Sequence, residues 1–291
     1  MKHCSQDRTR MVRPRHMALW LLVLVTSASG ASCPQFLNTY TPPAARALPA
    51  GPTLSQITAV VNDNSNKVVS LYTDDASISV PRAPTIRASL ALDRPLRFRL
   101  RGETRLTGPE VDLGSNEELF WFWVRRDPSQ AVYHCRHDQF HSSSAAMVLP
   151  VEPHWLIEAL GLVYFDPALA HQGPFPAGQG RLQILTPLET PRGQMTKVTV
   201  IDEARGWVLG QHLYDARNQL VASALAGQHQ RDPLSEVTLP SRVEIHWPAT
   251  QFSMRIELKN VAINQLPRNQ DLLWSLPDYQ GYTPVDLARW R

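Results

Sequence analysis

The strongest constraint on this chain is an alternation of period two that appears early and returns far downstream. In PLRFRLRG, Leu96, Phe98 and Leu100 alternate with Arg97, Arg99 and Arg101. Successive strand side chains point to opposite faces, so this segment has one apolar and one charged face. It belongs in an antiparallel sheet with one side on a core. TIRASLALD (Ile86, Ala88, Leu90, Leu92), SRVEIHW (Val243, Ile245, Trp247) and FSMRIELKN (Phe252, Met254, Ile256, Leu258) have the same pattern. Strands so far apart in the chain share a core most simply in one large sheet. The expected class is α+β, mainly β: a curved antiparallel sheet forming an unclosed barrel, with helices over its concave face.

The helices are few. Thr53 caps a segment in which Leu54, Ile57, Val60 and Val61 recur at helical spacing, and Asn62-Asp-Asn-Ser-Asn66 should end it. Pro153 to Gly161 predicts a second helix, with Pro in its first turn and Gly at its end. Further strands are expected at 67–73, 76–81, 130–137, 181–186, 194–202, 206–214 and 219–226. A hairpin loop is expected at 214–219 and a Pro/Gly-rich loop at 171–180.

The N-terminus reads as a secretory signal over residues 1–32. Five basic residues precede an apolar run from Met17 to Ala28, then small residues, then Cys33. The signal carries five of the 29 Lys/Arg and one of the 26 Asp/Glu, so the remainder has 24 against 25 and is near neutral. No global basic charge favours nucleic acid. Gly30-Ala-Ser-Cys33 resembles a lipobox, with Gly30 where Leu is usual, which makes Cys33 a candidate lipid-attachment site. Ordinary cleavage upstream, with Cys33 incidental, is the alternative. Residues 33–52, rich in Pro and Ala, read as a tether. The folded domain is placed at 53–275 and a tail at 276–291. Only Cys135 remains inside the body, so no internal disulfide is expected.

One stretch, LGSNEELFWFWVRRDP, has four consecutive aromatics. On a strand, Leu119, Trp121 and Trp123 share one face, while Phe120, Phe122 and Val124 share the other. Both faces are apolar, so the run predicts a wall strand covered on both sides. Which face sees the interior is open at this point.

Catalytic signatures are sparse. His134, Cys135, His137 and His141 are possible metal ligands. On a strand His134 and His137 point to opposite faces, so the set converges only if the chain turns after Arg136. His154 and Glu158 stand i, i+4 on the second helix, a spacing usual for a surface contact. Ser142 to Ser144 near His141 form a loop cluster with no G-x-S-x-G elbow. Asp112, Glu117 and Glu118 flank the aromatic strand, where acids are usually solvated. With no P-loop and no G-x-G-x-x-G, no cofactor is expected.

Three stretches carry a family resemblance: the first helix followed by KVVSLYT, PLRFRLRG with VDLGSNEELFWFWVRR, and LPSRVEIHWPATQFSMRIELKNVAIN. Their order resembles the LolA/LolB superfamily of bacterial lipoprotein carriers and receptors, and the whole chain resembles a group of bacterial lipoproteins. The resemblance implies a non-catalytic half-barrel that takes lipid or lipoprotein acyl chains. It would sit on the periplasmic side of the envelope, anchored to the outer membrane through a lipid. The longer middle segment, around 140–190, departs from the small carriers. Candidate cavity residues are Leu96, Phe98, Leu100, Phe120, Phe122, Val243, Ile245, Met254 and Ile256. The alternatives are an envelope interaction module with a collapsed cavity, and a periplasmic hydrolase or metal-binding enzyme using the 134–141 histidines.

Overall fold

The computed structural model describes residues 45–141, 143, 153–191, 193–268 and 270–289. The signal, Cys33 and the first part of the expected tether lie outside the described residues. The last part of that tether is packed: the Ala47 and Leu48 N–H groups donate to the Ala204 carbonyl, and Leu48 is buried.

The chain opens with α1 (Leu54–Asn66), then β1 (Ser70–Ser79), β2 (Ile86–Asp93), β3 (Arg97–Thr104), β4 (Gly108–Ser115), β5 (Leu119–Val124) and β6 (Ala131–Arg136). After α2 (Pro153–Ala159) come β7 (Gln172–Pro176), β8 (Arg181–Thr190), β9 (Gly193–Asp202), β10 (Val208–Asp215) and β11 (Leu220–Arg231). The chain finishes with β12 (Thr238–Trp247), β13 (Phe252–Lys259), β14 (Ala262–Ile263) and β15 (Thr283–Asp286). The strands β1–β6 and β7–β13 form two antiparallel meanders. They join where β1 pairs with β13, in the register Asp75↔Lys259 to Ser79↔Arg255. The result is one curved sheet, not closed into a barrel, with β7 at one edge and β15 at the other. The four alternating segments therefore form two hairpins, β2–β3 and β12–β13, brought together by this junction.

Both edges are blunted. β7 contains Pro174 and Pro176, and β15 contains Pro284. Proline offers no N–H to an incoming strand, which keeps an exposed edge from recruiting another chain.

The helices divide the core. Thr53 and Gln56 form a reciprocal capping box at the start of α1. Its Ile57 and Val61 pack with Leu182, Ile184, Ile201 and Val208 from β8–β10. Residues 62–66 extend the helix rather than ending it. Their polar side chains hold the segment after α2 and the start of β12: Asn62 bonds the Phe165 backbone both ways, Asn64 does so with Thr238, and the Ser65 hydroxyl donates to the Val163 carbonyl. Helix α2 contributes Trp155, Leu156, Ile157 and Ala159 to the second, larger core cluster. Gly161, at φ +90°, turns the chain away after it.

Three other expectations change. The candidates 67–73 and 76–81 are one strand, β1, whose register with β2 shifts between Thr73 and Ala76. The loop at 171–180 contains β7, because the Gln172–Pro176 backbone pairs with β8 despite its prolines. The tail at 276–291 supplies β15, which runs parallel to β6 from Thr283↔Ala131 to Asp286↔His134.

Candidate functional site

The aromatic strand β5 separates two environments. Phe120, Phe122 and Val124 face an apolar cavity of about 750 Å³ on the inner side of the sheet. Phe122 stacks on Tyr133 of β6 at 4.7 Å between ring centroids, and Phe120 meets Phe140 edge-on at 5.7 Å. Val111 and Leu113 stand beside Val124 and Phe122 on β4, and Ile78, Ile86 and Phe98 from β1–β3, Phe252 and Met254 from β13 and Leu156 from α2 continue the lining. The Trp247 and Phe252 rings stack at 4.8 Å on the β12–β13 side.

The cavity opens at the end of the sheet where the β1–β2, β3–β4 and β12–β13 turns and the residues after β5 gather. Val80, Ala83 and Pro84 line it from the first turn, Thr104, Leu106 and Thr107 from the second, and Thr250 from the third. Leu106 is 96% exposed and Val124 41%, so the mouth carries unburied apolar surface.

Of the residues nominated from sequence, Phe98, Phe120, Phe122 and Met254 line the cavity. Leu100, Val243, Ile245 and Ile256 are buried in the larger core cluster instead. Leu96 is half-buried on the turn before β3. Alternation identified the inner face but not position along it. The lining residues of the β1–β2 and β3–β4 turns have no period and could not be found that way.

The outer face of β5 is covered by the chain's own C-terminal segment. Trp123 stacks on Tyr279 at 3.8 Å and meets Tyr282 edge-on at 5.2 Å. Beneath them Asp112 is wholly buried rather than solvated. It accepts from Arg99 Nε at 3.1 Å and Nη2 at 2.6 Å, from Trp121 Nε1 at 3.3 Å, and from the Tyr279 hydroxyl at 2.7 Å. A carboxylate with this many donors is a satisfied structural anion. Burial, then the Asp112 charge, push the Tyr279 hydroxyl well above the usual phenol range. Glu117 instead pairs with Arg97 near the surface.

The histidine cluster does not converge. The His137 ring nitrogen sits 2.8 Å from the Asn116 carbonyl, His134 lies opposite Trp121 on β6, and His141 packs edge-on to Phe140. Cys135 is buried, and burial pushes its thiol up, away from the thiolate a metal or nucleophile would need. Among the described residues no group of His, Cys, Asp or Glu is placed to hold a metal ion. Ser142 and Ser144 lie outside the described residues.

His154 and Glu158 are not the surface pair expected. The Glu158 carboxylate is buried, with Lys197 Nζ of β9 at 2.9 Å from both oxygens, while His154 stands 3.8 Å away. Lys197 lies in an ordinary strand segment of the sequence, and no local signal links it to α2.

No family model matches the sequence, and no curated protein matches it. Solved structures do. An outer membrane lipoprotein-sorting protein domain from Vibrio parahaemolyticus is 12% identical, over 75% of this chain and 98% of that one, with a TM-score of 0.48. A DUF1329 family protein from Desulfovibrio piger is 10% identical, over 74% and 95%, with a TM-score of 0.48. A LolA superfamily protein from Nitrosomonas europaea is 9% identical, over 75% and 97%, with a TM-score of 0.44.

Proposed function

We propose that this protein is a non-catalytic acyl-chain binder of the bacterial cell envelope. It is held on the periplasmic side of the outer membrane by a lipid on Cys33, and takes up lipid or lipoprotein acyl chains. The observation that carries this reading is the cavity of about 750 Å³, walled by aliphatic and aromatic side chains and open at one end. Its size falls within the range of roughly 300–1,000 Å³ usual for ligand sites. Each methylene moved from water into it contributes about 0.8 kcal/mol. Ten of them supply a gross driving force of about 8 kcal/mol, which on the affinity scale corresponds to a micromolar Kd before ordering costs.

Native mass spectrometry of the full-length protein, extracted from its own membrane, tests both parts. The expected spectrum has a covalent diacylglycerol adduct on Cys33 and a non-covalent acyl ligand. An unmodified Cys33 removes the anchor from the proposal. A ligand-free protein that also refuses a fluorescent fatty acid removes the cavity function.

A further inference from the structure

The polar lining of the cavity is sorted to one end. Thr104, Thr107, Glu110, Arg126 and Thr250 all belong to the turns and strand ends around the mouth, while the strand interiors contribute apolar side chains. Arg126 continues the inward alternation of Phe120, Phe122 and Val124 and itself lines the cavity. It is exposed, and makes no ion pair among the described residues. Two more exposed arginines occupy the other turns: Arg82 between the lining residues Val80 and Ala83, and Arg105 between Thr104 and Leu106. They too have no ion-pair partner among the described residues. The one acid in the lining, Glu110, accepts the Thr107 hydroxyl.

Several arginines of the strands are partnered, although Arg87, Arg101 and Arg181 make no ion pair among the described residues. Arg97 pairs with Asp93 and Glu117, Arg242 with Glu257, and Arg255 with Glu244. The segments that form the mouth thus carry three exposed arginines, Arg126 in the lining itself and Arg82 and Arg105 beside lining residues, against the one lining carboxylate of Glu110. Like charges held together raise the local potential and favour an incoming anion. A guanidinium fork matches a carboxylate or phosphate with two parallel hydrogen bonds.

We propose that Arg82, Arg105 and Arg126 bind the anionic head group, carboxylate or phosphate, of an acyl lipid whose chain lies in the cavity. This inference rests on the acyl-binding reading and narrows it. A fatty acid or a phosphate-bearing lipid has the anion beside its chain, whereas an acylated, lipid-modified cysteine does not. The site therefore selects free anionic lipid over lipidated protein.

The test measures affinity in the purified full-length protein, by displacement of a fluorescent acyl probe, for two pairs of equal chain length. One pair is palmitate and hexadecanol; the other is lysophosphatidic acid and monopalmitoylglycerol. The anionic member of at least one pair is expected to bind about five- to tenfold more tightly, as partly exposed charge-assisted hydrogen bonds allow. The pair with the larger ratio identifies carboxylate or phosphate as the head group. Raising the salt concentration should shrink the ratio. The triple variant Arg82→Gln, Arg105→Gln, Arg126→Gln should lose the preference and keep its affinity for the neutral members. Equal binding within both pairs, or a triple variant that keeps the preference, overturns the head-group inference and leaves the acyl cavity standing. Failure of all four lipids to bind removes the acyl reading itself, and this inference with it.

Discussion

Lys197 Nζ stands 2.9 Å from both carboxylate oxygens of Glu158, and only 8% of Lys197 and 5% of Glu158 is exposed. This ion pair joins α2 to β9, an interior strand of the second meander. A buried charge that loses its partner retains its desolvation cost, so Lys197→Ala or Glu158→Ala should each cost about 3–5 kcal/mol. Replacing both together by Met and Leu should cost far less, because no charge is then stranded. Urea unfolding of the two single variants and the double variant checks this. Additive losses would show that the pair is not coupled.

The C-terminal segment is fixed through Asp112 in a related way. Tyr279→Phe removes one of several donors to the carboxylate and should cost about 1–2 kcal/mol. Asp112→Ala strands the Arg99 guanidinium, which is mostly buried, and should cost about 3–5 kcal/mol. Tyr279→Ala should also uncover Trp123 and shift tryptophan emission to the red, which Tyr279→Phe should not. An unshifted Tyr279→Ala spectrum would mean that the segment does not cover β5 in solution.

Gly114 of β4 lies directly under Trp121, and an added Cβ would fall within the indole ring. The glycine is there for close approach rather than for a special backbone angle. Gly114→Ala should therefore destabilise by about 1–3 kcal/mol, as overpacked sites do. Combining it with Trp121→Leu should recover part of the cost relative to the sum of the two. Denaturant midpoints of the four members of this cycle measure the coupling.

What the sequence revealed follows from the range of its signals. Alternation is local, so β2, β3, β12 and β13 and the inner faces of their residues were legible one strand at a time. The two apolar faces of Phe120–Val124 likewise required covering on both sides, before anything indicated that Tyr279 and Tyr282 cover one of them. Long-range partners leave no such trace. Asp112 looked like any acid at a strand end, and Lys197 like any strand lysine, until the sheet brought Arg99 and Glu158 to them. The cavity mouth was hidden for another reason. Its residues lie in turns, where side-chain direction depends on turn geometry rather than on a period.

Two half-buried histidines set a pH dependence. His229 is stacked on Trp207 with its ring nitrogen 2.9 Å from the Val208 carbonyl, and His212 lies on the neighbouring strand β10. Burial lowers the pKa of both below the 6.5 of an ordinary histidine. The unfolded chain then binds more protons than the folded one below pH 6.5, so stability falls as pH drops through that value. Melting curves between pH 7.5 and pH 5 should show this loss. His212→Gln with His229→Gln should flatten it over this interval. An unchanged slope in that double variant would assign the dependence to other groups.

Filling the cavity separates capture from folding. Val111 and Leu113 lie on its inner wall, half-buried and beside open space rather than within the packed core. A tryptophan at either position can project into that space, so Val111→Trp and Leu113→Trp should leave the melting temperature near that of the parent. An indole there occupies room that an acyl chain would use. Each variant should weaken fatty-acid capture about tenfold or more, the loss that two or more displaced methylenes represent at about 0.8 kcal/mol each. The matching control is Val69→Trp, at an exposed site just before β1 and away from the cavity lining, which should capture the probe as the parent does. Folded variants with blocked lining and undiminished capture would place the acyl chain somewhere other than between β5 and β13.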